Sequence, residues 1–182
     1  MPVYIAMLRG VNVSGQNIIR MEDLRRICTG LGFHNIETYA QSGNVVLLTR
    51  AMRPSTLADD IGAALLHDLA LSVSVVVRTL NEMDDAVAGN PFPREKGIDV
   101  SKLHVTFLSA SVPGRALKNL EGLPRQSDRF YVGRREIYLY CPDGYGRTKL
   151  SNAALEKALS VGGTTRNWKT VTALLEIASR TQ

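Results

Sequence analysis

The stretch IETYAQSGNVVLLT, Ile36–Thr49, decides the fold. It predicts a short strand near Ile36–Tyr39, a turn through Ser42, Gly43 and Asn44, and a second strand over Val45–Thr49. Two strands joined by so tight a turn pair antiparallel, and helical patterns lie on both sides of them. Upstream, VYIAMLR (Val3–Arg9) is β-rich, and MEDLRRICTGLG places apolar residues at helical spacing before closing on Gly30 or Gly32. Downstream, RPSTLADDIGAALLHDLAL predicts a helix, with Thr56 and Asp59 at the spacing of a capping box, and SVSVVVR (Ser72–Arg78) predicts a strand. The order βαββαβ is the ferredoxin-like pattern, in which two helices cover one face of an antiparallel sheet.

The pattern then restarts. A helix capped by Thr79 and Glu82 stops at Gly89, and NPFPREKGIDV reads as an ordered, non-repetitive linker because Pro91 and Pro93 refuse a helix. KLHVTFLS predicts a strand turning Leu103, Val105 and Phe107 inward. PGRALKNLEG predicts a short helix, RFYVG and EIYLYC a hairpin through Gly133 and Arg134, and SNAALEKAL a helix capped by Ser151. That order is βαββα, with a terminal helix from Asn167 to Arg180 where the sixth element, a strand, would come. The expected fold is therefore α+β, two tandem ferredoxin-like subdomains with antiparallel sheets: residues 1–78, a connecting helix and linker over 79–101, and residues 102–182. No residue-level repeat supports the duplication; it rests on element order.

Composition limits the function classes. The 182 residues, 45% hydrophobic and 21% charged, suit a folded chain with a real core. No apolar run approaches the ~20 residues that span a bilayer, so no membrane partner is expected, and the N-terminal apolar run, broken by Arg9, reads as a strand rather than a signal peptide. The two cysteines form no CxxC, and Cys28 falls in step with Met21, Leu24 and Leu31, as a buried structural thiol would; a reducing cytoplasm fits. The net charge of +5 is uneven: residues 101–182 carry thirteen basic and six acidic side chains, whereas residues 51–100 carry four and eight. A basic half favours an anionic partner, a nucleotide or nucleic acid, or serves solubility alone.

Four loops concentrate glycine and polar groups: RGVNVSGQN (Arg9–Asn17), QSGN (Gln41–Asn44), DGYGRTKLS (Asp143–Ser151) and TTRNW (Thr164–Trp168). Glycine lets a backbone approach a ligand closely, and exposed N–H groups before a helix favour anions. The P-loop spacing is absent, so no nucleotide cofactor motif is present, and His34, His67 and His104 share no ligand spacing, so no metal is expected. Tyr138 and Tyr140 alternate on one strand face, with Tyr131 nearby; they suit either base stacking or sheet docking. In TTRNWKTV, Thr164 or Thr165 is expected to cap the last helix and Trp168 to anchor its buried stripe with Val171, Leu174 and Leu175. Arg166 and Asn167 then remain as a pair suited to a ligand or a hydrogen-bond clamp.

The segments MLRGVNVSGQN, YAQSGNVVL, NPFP, LHVTFL, IYLYCPDGYGRTKLSN and TTRNWKTVTAL, taken in order, resemble the bacterial family known as domain of unknown function 1697. The resemblance implies two α+β subdomains in a cytoplasmic protein and brings no activity. Its motifs fall on Arg9, Asn12, Gln41, Ser42, Gly43, Asn44, Lys149, Arg166, Asn167 and Trp168. The favoured expectation is an anion-binding protein whose site gathers Arg9, Asn12, Gln41, Ser42, Asn44, Lys149, Arg166 and Asn167 in a cleft between the halves. The alternatives are an enzyme acting on a phosphorylated or carboxylated small molecule, with Lys149 and Arg166 stabilising charge, and a protein-interaction scaffold.

Overall fold

A computed structural model describes residues 1–181. The first half lays down β1 (Val3–Leu8), α1 (Met21–Gly30), β2 (His34–Tyr39), β3 (Asn44–Leu48), α2 (Pro54–Leu69), β4 (Val75–Thr79) and α3 (Leu80–Ala88). Single 3-10 turns at Phe92–Arg94 and Val100–Lys102 carry the chain to β5 (Leu103–Leu108). Then follow α4 (Leu117–Glu121), β6 (Arg129–Val132), β7 (Glu136–Tyr140), α5 (Asn152–Leu159), β8 (Gly163–Asn167) and α6 (Trp168–Arg180). The described residues form an α+β structure with two four-stranded antiparallel sheets, ordered β2-β3-β1-β4 and β6-β7-β5-β8, and six α-helices. The chain divides into two compact units, Met1–Asp85 with the chain from Thr172 on, and Ala86–Val171.

Strand alternation explains each core. Tyr4, Ala6, Leu8, Val45, Leu47 and Val77 share one sheet face and pack on Leu24 and Cys28 of α1 and on Leu57, Ile61 and Leu65 of α2. In the second unit Leu108, Ile137 and Leu139 pack on Leu120 of α4 and on Leu155 and Leu159 of α5. The opposite faces are buried too: Ile5, Met7 and Val46 in one sheet, and Val105, Phe107 and Tyr138 in the other. Burial on both faces is why VYIAML reads as an unbroken apolar run.

Four expectations are corrected. The second half does contain the final strand of the βαββαβ order: β8, its fourth strand, pairs antiparallel with β5 from His104↔Asn167 to Leu108↔Gly163. It escapes apolar patterning because its buried positions are glycine, threonine and arginine, and Gly163 permits the approach, since a Cβ there would lie 2.9 Å from the Phe107 carbonyl oxygen. Thr56 and Asp59 do not cap α2, which starts earlier, at Pro54, with no side-chain cap. Thr164 and Thr165 lie within β8; Asn167 caps α6, its Oδ1 accepting the Thr170 N–H at 2.8 Å. Trp168 is half-buried rather than buried. The Thr79–Glu82 box on α3 and the Ser151 cap on α5 form as expected, and α1 buries Met21, Leu24, Ile27 and Cys28, with Leu31 more exposed just beyond its end.

Candidate functional site

The two units have matching element orders, so comparing their loops separates what the fold requires from what it carries in addition. The β1–α1 connection takes twelve residues, 9–20, whereas its counterpart between β5 and α4 takes eight, 109–116, a 3-10 turn at Gly114–Ala116 included. The β7–α5 connection takes eleven, 141–151, whereas β3–α2 takes five, 49–53. Each unit thus carries one connection clearly longer than its counterpart in the other unit, and long connections are where binding groups concentrate.

In the first unit the long connection is built, not slack. Asn12, Ser14 and Asn17 hold left-handed backbone at φ 54°, 50° and 48°, conformations that favour asparagine and strain serine. The Asn12 side chain braces the loop from inside: Nδ2 donates to the carbonyls of Ile19 (2.9 Å) and Gln41 (2.6 Å), and Oδ1 accepts the Ile19 N–H (2.9 Å). Asn17 Nδ2 donates to the Gly10 carbonyl at 3.0 Å. The QSGN turn locks beneath it. The Leu8 N–H donates to the Gly43 carbonyl at 2.8 Å, and buried Asn44 donates from Nδ2 to the Tyr39 carbonyl and to Ser42 Oγ, both at 2.9 Å. Arg9, Asn12, Gln41, Ser42 and Asn44 therefore do come together, but Asn12 and Asn44 hold backbone rather than reach out. The rim Val13–Ile18 is exposed throughout, and it carries Val13 (57%) and Ile18 (63%), two bare apolar side chains beside polar ones.

In the second unit the expected residues separate. Arg166 and Asn167 are neighbours on a strand and so point to opposite faces. Arg166 lies in the row of Val105 and is 7% exposed; its Nη1 donates to Thr164 Oγ1 (2.7 Å) and the Thr165 carbonyl (3.0 Å), and burial pushes its guanidinium down to about 10. Asn167 shares the other face, beside His104, where it caps α6. Lys149 is exposed in the long connection.

A cluster that sequence reasoning did not single out lies on the Asn167 face. Tyr145, from the long connection, stacks on His104 at 4.5 Å between ring centroids. Its hydroxyl accepts the Asn152 N–H at 3.1 Å, and Asn152 also accepts from Thr165 Oγ1, donates to the Gly163 carbonyl and bonds Glu156. His104 Nδ1 is buried with no hydrogen-bond partner, and burial holds its pKa below the ordinary value, so the ring is neutral at physiological pH. His104 lies on β5 and Tyr145 within the 141–151 connection, with α4, β6 and β7 between them, so no spacing in the sequence joins them.

The tyrosine face is occupied by the linker. Buried Phe92 packs on Tyr131 (4.8 Å) and Tyr140 (5.9 Å), and Tyr138 Oη donates to the Ala86 carbonyl at 2.8 Å. Arg129 and Tyr131 close on Glu95, at 2.8 Å from each. Base stacking on this face would have to displace that linker.

No curated protein matches the chain. A solved structure, described as conserved bacterial protein SP0830 from Streptococcus pneumoniae, superposes with a TM-score of 0.77 over 97% of this chain and 98% of its own, at 19% identity. That likeness is one of fold. Over residues 1–138, which include the braced loop and the QSGN turn, the chain matches the family described as protein of unknown function (DUF1697), and it belongs to that family.

Proposed function

We propose that the protein binds an anionic ligand that also carries an apolar ring, a nucleotide or a short nucleic-acid segment, on the Arg9–Arg20 connection. The supporting observation is the braced loop itself: a connection longer than its counterpart, held left-handed at Asn12, Ser14 and Asn17, and fixed by Asn12 to Ile19 and Gln41. Strain of that kind persists where the surroundings over-determine it, and it concentrates at ligand sites. Arg9 at its start supplies positive charge, and Val13 and Ile18 supply apolar surface for a ring. Glycine and serine at the rim leave backbone N–H groups approachable by phosphate oxygens. The proposal treats each unit as a ferredoxin-like fold, supported by the two strand orders, and places the protein in a bacterial cytoplasm, supported by two buried cysteines in the free thiol form.

Titration of the full chain with fluorescent ATP and with labelled oligouridine at low salt tests this reading. Binding that weakens about tenfold in Arg9→Ala, and that weakens with salt, supports it; the absence of binding by either probe overturns it. Asn12→Ala should weaken binding as well, by loosening the loop, while leaving unit-wide secondary structure intact by circular dichroism.

A further inference from the structure

Four strands end the two sheets, β2 and β4 in one, β6 and β8 in the other. An edge strand offers unpaired N–H and C=O groups to any passing strand, and proteins usually block them. Three of these edges carry a partial block. In β4 the Arg9–Ser74 ladder bond sets the phase that turns Val75, Val77 and Thr79 outward. Arg78 Nη1 donates to the Val77 carbonyl at 3.1 Å, and the Glu82 carboxylate accepts the Thr79 N–H at 2.9 Å. In β8 the Ser109–Gly162 bond turns Gly163 and Thr165 outward; their carbonyls accept from Asn152 Nδ2 and Arg166 Nη1, both at 3.0 Å. In β2 the register breaks between His34 and Glu37, with Asn35 left-handed at φ 46°, a bulge that spoils further pairing.

β6 has no such device. The Gly133–Glu136 bond fixes its phase, so the N–H and C=O groups of Phe130 and Val132 point away from β7. No hydrogen bond from the described chain reaches them. The strand is Arg129, Phe130, Tyr131 and Val132, without proline or bulge, and Tyr131 (39%) and Val132 (41%) are exposed. Arginines flank it: Arg125 lies 5.1 Å over the Phe130 ring and Arg134 is exposed in the turn beyond, while Arg129, on the strand, is already paired with Glu95.

We propose that the open edge of β6 accepts an extended acidic peptide of a partner protein as an added strand of the second sheet. Backbone groups spaced for a β-ladder select a peptide over a nucleic acid, which presents no matching donors and acceptors. The arginines select carboxylates on it. A second copy of this chain fits poorly, because the unit holding β6 carries fourteen basic against seven acidic side chains and would meet its own charge. The edge belongs to the second unit, and its proposal does not rest on the ligand proposed for the Arg9–Arg20 connection.

The test uses the full chain and a short fluorescent peptide alternating valine with glutamate, read by anisotropy, with its valine–lysine counterpart and oligouridine as competitors. The valine–glutamate peptide should bind, and Val132→Pro, which removes one outward N–H, should weaken it about tenfold or more. Arg134→Glu should weaken it about fivefold and make the remaining binding less sensitive to salt, because less charge attraction is left to screen. Hydrogen exchange at the Phe130 and Val132 amides should slow in the complex, a readout that stands even if the proline variant folds poorly. Equal binding of both peptides, displacement by oligouridine, unchanged exchange at those two amides, or a chain that dimerises through β6 instead would each overturn the proposal.

Discussion

Arg78 and Arg166 occupy the same place in the two sheets. Arg78 on β4 pairs with Ile5, the third residue of β1, and Arg166 on β8 pairs with Val105, the third residue of β5. Each donates Nη1 to the carbonyl of the residue before it, Val77 at 3.1 Å and Thr165 at 3.0 Å. Each is followed by a helix cap, Thr79 accepting the Glu82 N–H and Asn167 accepting the Thr170 N–H, and by a helix that starts without any loop. A chain turning straight from an edge strand into a helix needs its cap on the last strand residue. The outward carbonyl just before the arginine then needs a donor, and the long fork of the arginine reaches it. The halves therefore share a strand–arginine–cap–helix junction at residue level.

Replacing either arginine should expose that requirement. Arg166→Met leaves Thr164 Oγ1 and the Thr165 carbonyl without their charged donor and should cost about 2–4 kcal/mol. Arg166→Lys should recover less than half of the loss, because its ammonium, one atom shorter in reach and without the planar guanidinium fork, cannot sit where Nη1 meets both acceptors. Arg78→Met should behave alike. Urea denaturation of the four proteins checks this, and an Arg166→Lys chain as stable as the parent would show that the fork geometry is irrelevant.

The cap assignment predicts a graded series at Asn167. Asn167→Ala should destabilise by about 1 kcal/mol, whereas Asn167→Asp and Asn167→Ser should stay within a few tenths of the parent, since each keeps an acceptor for the Thr170 N–H. Thr164→Ala would cost as much by a different route, through Arg166, so the series at Asn167, measured by thermal melts, isolates the helix start.

Much of this architecture is legible in the sequence because burial and turn chemistry write themselves into residue type. The QSGN turn, the capping pair Thr79–Glu82 and the Ser151 cap were each readable from spacing. β8 was not, because GTTRN presents no apolar alternation; its strand character comes from pairing with β5 and from the close approach Gly163 allows. The site was legible as a set of loops but not as a set of roles. Asn12 and Asn44 carry the polar character of a binding residue, and only their partners reveal that they hold backbone. Arg166 and Asn167 are adjacent in sequence and separated by the pleat, a distinction available only once the segment is known to be a strand.

Gly43 should tolerate no side chain. Its φ of 75° is left-handed, and an added Cβ would lie 2.6 Å from Val11 Cγ2 and 2.8 Å from Leu8 Cβ. Gly43→Ala should cost about 2–4 kcal/mol from backbone strain and overpacking together. Because Leu8 bonds the Gly43 carbonyl and Val11 belongs to the braced loop, the same variant should speed amide exchange across residues 9–20. Denaturant midpoint and hydrogen exchange read the two effects separately, and a Gly43→Ala chain with parental exchange in that loop would show that the turn does not support it.

The buried thiols give the stability a defined alkaline limit. Cys28 lies between α1 and the sheet, and burial alone raises it from 9.0 to about 12; burial also raises Cys141, to about 11. In the unfolded chain each thiol ionises near its ordinary value, while the native chain keeps the proton. The native state thus binds more protons across that window, and stability falls as pH rises through it. The Cys28 contribution is about 1.4 kcal/mol per pH unit between the unfolded and folded values. Cys28→Ala should be less stable at neutral pH, by about 1–2 kcal/mol for the lost packing, yet show a shallower alkaline decline. Native protein at pH 8 should resist a thiol-reactive dye that labels both cysteines at once in urea. Parallel alkaline curves for parent and Cys28→Ala would place the alkaline limit on other groups.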